Sequence, residues 1–76
     1  MRLSVIWDYP AETILLQHLL WPTNGDIAAA VHRFAEGRAL RLPSGRYALN
    51  AAGYQMSVRL DREARTLLVQ YIYPRP

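Results

Sequence analysis

The stretch Tyr54-Gln55-Met56-Ser57-Val58-Arg59-Leu60-Asp61 decides the fold. Tyr54, Met56, Val58 and Leu60 alternate with Gln55, Ser57, Arg59 and Asp61. A period of two belongs to a strand with one face in a core and the other in solvent. Turn residues bracket it: Asn50-Ala51-Ala52-Gly53 before, and Asp61-Arg62-Glu63-Ala64-Arg65 after. Beyond the first turn, Arg46 to Asn50 reads as a strand with Tyr47 and Leu49 inward. Beyond the second, Thr66 to Tyr73 reads as a strand with Leu67, Val69, Tyr71 and Tyr73 on one face. Leu68 and Ile72 make its other face partly apolar, which predicts a place inside the sheet rather than at an edge. Gly45 to Tyr73 is therefore a three-stranded antiparallel meander.

The period is different upstream. Leu3 to Asp8 alternates as a further strand, with Leu3, Val5 and Trp7 on one side. Pro10 ends it and suits a first helical turn, with Asp8 placed to cap. Ala11, Ile14, Leu15 and Leu19 recur at helical spacing, and Leu16 and Leu20 widen the stripe, so a helix is expected from Ala11 to Trp21, stopped by Pro22. Thr23-Asn24-Gly25-Asp26 reads as a turn opening a second helix, with Thr23 and Asp26 in the pattern of a capping box. Ile27, Val31, Phe34 and Ala35 share one face of that helix. Gly37 is its expected left-handed stop, and Gly37 to Gly45 an expected loop. The fold class is α+β in the order β-α-α-β-β-β. A helical hairpin packs on a four-stranded, mainly antiparallel sheet, and residues 1–76 form a single domain.

Composition narrows the function classes. A chain of 76 residues without cysteine has neither disulfide nor thiolate metal ligand, so its 51% hydrophobic content must supply the core. The apolar runs are short and interrupted, which excludes a helical membrane span; the N-terminus reads as a strand rather than a leader, and a cytoplasmic location is expected. The net charge is +3 and all nine basic residues are arginine. Arginine's planar fork suits phosphate and carboxylate partners. A base composition that favours arginine codons accounts for the same excess. His18 and His32 have no third ligand at suitable spacing, so no metal is expected, and no cofactor. Ser57 has no histidine near it and lies on a strand, which argues against a hydrolase triad.

The order of elements, together with certain residues, resembles the RelE/ParE superfamily of bacterial toxins from type II toxin–antitoxin systems. The residues are the opening strand ending in Trp7, Ala30-Val31-His32-Arg33-Phe34-Ala35-Glu36-Gly37, and Gly45-Arg46-Tyr47-Ala48-Leu49. Gly53 to Asp61 is similar to the family's Gly-Tyr-Arg-(Val/Leu)-x-Tyr-x-x-Asp strand and turn, and Leu67 to Tyr73 to its last strand. The resemblance implies a cognate antitoxin as partner. It also implies one of two activities: ribosome-associated mRNA cleavage in RelE-like members, or inhibition of DNA gyrase in ParE-like members.

The resemblance also marks site positions. Ala48 and Asn50 stand where the family has two lysines, and Gln55 where it has the arginine after Gly-Tyr. Arg75 stands near its arginine after the last strand, while its tyrosine position lies beyond that point. The catalytic candidates for RNA cleavage are therefore Arg59, Arg75 and Gln55: the arginines for phosphate charge, Gln55 for positioning. An arginine is a poor general base, since its pKa exceeds about 12. Arg38, Arg41, Arg46 and Tyr73 are the RNA-binding candidates. The ordinary reading of Arg46, Gln55 and Arg59 is the solvated side of an amphipathic strand, and that of Arg38 and Arg41 is surface loop. Trp7, Trp21, Phe34, Tyr47 and Tyr54 are expected in the core, so the open face, with Arg46, Asn50, Gln55, Ser57, Arg59 and Gln70, is expected to lack an aromatic stacking platform.

Overall fold

The computed structural model describes residues 2–16 and 23–75. The elements run β1 (Ser4–Trp7), α1 (Tyr9–Leu15), α2 (Thr23–Glu36), a 3-10 helix (Arg38–Arg41), β2 (Gly45–Ala51), β3 (Tyr54–Asp61) and β4 (Thr66–Pro74). The sheet order is β1-β4-β3-β2. β2 pairs antiparallel with β3, β3 antiparallel with β4, and β1 parallel with β4. The doubly apolar β4 is thus flanked on both sides, as its sequence predicts. The helical segment lies between β1 and β2, and the two antiparallel pairings that follow bring β4 back alongside β1 in the same direction.

The core lies between that face and the helices. Met56, Val58, Leu60, Leu67, Val69 and Ile72 are buried from the sheet, and Ala11, Ile27, Val31, Phe34 and Ala35 from the helices. Tyr47 packs against this core from β2; its ring stands 6.4 Å from that of Phe34, and its hydroxyl donates to the Pro43 carbonyl. Among the described residues, burying the eight large aliphatic side chains of this set, Ile27 and Val31 with the six from the sheet, at roughly 1.5–3 kcal/mol each gives this short chain its main favourable term.

Several local expectations are corrected. α1 ends at Leu15, and Leu16 is exposed rather than part of the apolar stripe. The rest of the expected first helix, including His18 and Trp21, and the connection to α2 lie outside the described residues. Thr23 to Asp26 form the first turn of α2, not a turn ahead of it. Gly37 ends α2 without the left-handed conformation, at φ −128° and ψ −93°, because the chain passes directly into a 3-10 helix where a loop was expected. Asp8 caps α1 as expected, its carboxylate accepting from the Tyr9 N–H at 2.9 Å.

The largest correction is in β4. The β3–β4 register runs from Asp61↔Thr66 to Val58↔Val69, then resumes at Ser57↔Tyr71, leaving Gln70 without a partner. One extra residue reverses the parity of everything after it. Leu67, Val69 and Ile72 are therefore inward, while Tyr71 and Tyr73 turn to the open face at 46% and 37% exposure.

Candidate functional site

The open face is built by rows of side chains across the sheet. One row is Ile6, Leu68, Arg59 and Arg46; the next is Tyr71, Ser57 and Ala48; the third is Tyr73, Gln55 and Asn50. Tyr71 and Tyr73 sit two residues apart on one strand, with ring centroids 5.5 Å apart and planes tilted by 35°. The aromatic platform that strict alternation excludes is therefore present, next to arginine and amide side chains. Such a surface can stack bases and bind phosphates.

The catalytic candidates fall at two ends of this face. Gln55 pairs with Tyr73 and with Asn50. Arg75 follows at the same end, its backbone N–H held by the Gly53 carbonyl at 2.9 Å. Arg59 lies four residues further along β3 than Gln55, about 13 Å away at strand rise, directly opposite Arg46. Arg59 also lines a shallow cleft of about 390 Å³ with Ser44, Gly45, Leu60, Asp61 and Glu63. Gln55, Tyr73 and Arg75 therefore form one group and Arg46 with Arg59 another; the backbones of Arg59 and Arg75 are too far apart for one phosphate to lie between them.

Arg38 and Arg41 belong to neither group. They are exposed on the 3-10 helix and line a separate depression with Glu36, Gly37 and Leu40. The segment carrying them is held by Arg62, a residue read from sequence only as part of a turn. Arg62 Nη1 donates to the Leu40 and Leu42 carbonyls at 2.9 and 2.8 Å, and its backbone N–H donates to Ser44 Oγ at 2.9 Å. These partners lie 18 to 22 residues away, so no local pattern announces them. Tyr71 was also missed as a site residue. Its signal is the spacing Leu67, Val69, Ile72, a step of two followed by a step of three across the polar Gln70.

Among the described residues no group of histidine, aspartate or glutamate side chains is placed to hold a metal ion, and no helix is long and apolar enough to cross a membrane. The geometry defines a class: a two-layer α+β domain with helices on one sheet face and a cationic, aromatic opposite face. A search of solved structures finds the same fold in a chain of the toxin–antitoxin complex RelBE2 from Mycobacterium tuberculosis, with a TM-score of 0.64 and 26% identity, covering 99% of this chain and 100% of that one. No family model and no curated protein sequence matches. The resemblance carried by the residues and the match of the whole fold coincide, and both point to the RelE-like toxin superfamily.

Proposed function

We propose that this chain is the toxin of a type II toxin–antitoxin pair, neutralised by a cognate antitoxin, and that its open sheet face acts on ribosome-bound mRNA. One observation carries the choice of RNA: the unpaired Gln70 turns Tyr71 and Tyr73 out beside Gln55, with Arg59 and Arg46 further along the same face. A single-stranded ligand needs such a combination, because bases stack on aromatic planes while phosphates seek cations. In this reading Arg59 and Arg75 contact phosphates, Gln55 positions the strand, and Tyr73 stacks a base. Arg38 and Arg41 on the helical side contact the ribosome's own RNA.

A second reading is favoured by the residues at the superfamily's lysine and arginine positions. Ala48, Asn50 and Gln55 carry no charge there, which supports a non-catalytic binder such as a gyrase-directed inhibitor or a chain that only binds its antitoxin.

Inducing the chain alone and mapping transcript ends separates the readings. Growth arrest with cleavage at codon-defined positions, abolished in Arg75→Ala and Tyr73→Ala, is the expected result. A DNA-damage response with intact transcripts would favour gyrase. An absence of any growth effect would sink both toxin readings.

A further inference from the structure

The four strands contain two basic residues among them, Arg46 on β2 and Arg59 on β3, and the register places those two directly opposite one another. Direct cross-strand partners have Cβ atoms about 5 Å apart, and like charges there are unfavourable. Both side chains are exposed on the open face, since their neighbours Tyr47, Val58 and Leu60 point into the core. The nearest carboxylate along β3, Asp61, is engaged in the following turn, where its Oδ1 accepts from the Ala64 N–H at 3.0 Å. Glu63 lines the cleft on that turn side. On the other side the row continues into the half-buried Leu68 and the exposed Ile6. Apolar flanking surface reduces competition from water for an anion held by the guanidinium pair.

We infer that Arg46 and Arg59 form a clamp for one phosphate of a single-stranded RNA, lying about 13 Å along the sheet from the Gln55 position and fixing the register of the strand laid over Tyr71 and Tyr73. Two forks converging on one phosphate make charge-assisted, geometrically specific hydrogen bonds. An anion between them also cancels the repulsion that the empty pair carries. The charge missing from the superfamily's positions at Ala48, Asn50 and Gln55 is replaced at the opposite end of the same face. The clamp deepens the RNA reading given above and rests on it.

The test measures binding of a fluorescent twelve-nucleotide oligouridylate to the full chain across a salt titration. The variants are Arg46→Gln, Arg59→Gln, the double variant, and Arg33→Gln as a charge-matched control on the exposed face of α2. Each clamp variant should weaken binding roughly tenfold, as expected for loss of a charge-assisted hydrogen bond. The double variant should reduce the salt slope by about 0.7, the value for one phosphate on a single strand. Each single clamp variant should also raise the melting temperature of the free chain, because the like-charge pair is relieved; lower affinity with higher stability is not what a merely structural role produces. Affinities no different from that of Arg33→Gln, while the wild type binds, would overturn the clamp and leave the RNA reading standing. A slope reduction of about 1.4 would assign the arginines to two separate phosphates and overturn the sharing. Equal stabilisation by inorganic phosphate and by the oligonucleotide at the same concentration would overturn assignment to a strand. A wild-type chain that binds no oligouridylate would overturn the clamp, which is a property of the chain by itself, while the ribosome-bound reading is decided separately by the transcript ends of the induced chain.

Discussion

The two faces of the sheet are made from the same strands and obey opposite rules. On β3, Met56, Val58 and Leu60 are buried, while Gln55, Ser57 and Arg59, alternating with them, look outward. The inner face is chemically uniform and tolerates no vacancy, since a small domain has little stability to lose. The outer face is chemically mixed, places two arginines in direct opposition and exposes two tyrosines. An outer face shaped by stability alone would avoid both features. The comparison separates the residues that hold the fold from those available for binding, and it does so within single strands.

The contrast is broken most severely from the inside. Leu67→Ala should cost about 2–5 kcal/mol and leave little folded protein at 37 °C, as read by urea denaturation. Arg62→Ala removes both guanidinium bonds to the Leu40 and Leu42 carbonyls. It should cost about 2 kcal/mol, with faster amide exchange concentrated in residues 38–44.

The remaining two sharpen the comparison. Ala52 occupies the left-handed region at φ 54°, beside Gly53 at φ 82°, in the two-residue β2–β3 turn. Ala52→Gly should therefore stabilise by about 1 kcal/mol, seen as a raised urea midpoint with an unchanged slope. Gln55→Ala, on the outer face between Tyr73 and Asn50, should change stability by less than about 0.5 kcal/mol while weakening oligonucleotide binding. A large stability change there would mean that the outer face carries the fold after all.

How much was legible in the sequence differs between the faces. The inner residues of β3 were readable because alternation is a local property, and the central place of β4 because its residues are apolar on both sides. The cap at Asp8 and the Asp61 turn were readable for the same reason: their bonds close within a few residues. The positions of Arg46, Gln55 and Arg59 on the open face followed from parity. Their separation into two groups did not, because it depends on how far each strand runs beside its neighbour. Tyr71 and Tyr73 were assigned to the wrong face, since a strand apolar on both sides gives parity no preference until it is paired. The geometry of Gly37 was misread because the 3-10 helix after it is held partly by Arg62, from a distant turn.

The sequence by itself determined the order β-α-α-β-β-β, the meander and the inward set Met56, Val58, Leu60, because turn chemistry and hydrophobic period act over a handful of residues. Only the tertiary structure decided that Gln70 is left unpaired, that Arg46 meets Arg59, and that Arg62 reaches back to Leu40 and Leu42. These depend on register between segments distant along the chain. Register is selected by the fit of the whole core: burying Leu67, Val69 and Ile72 together outweighs the ladder hydrogen bonds lost at one bulged residue.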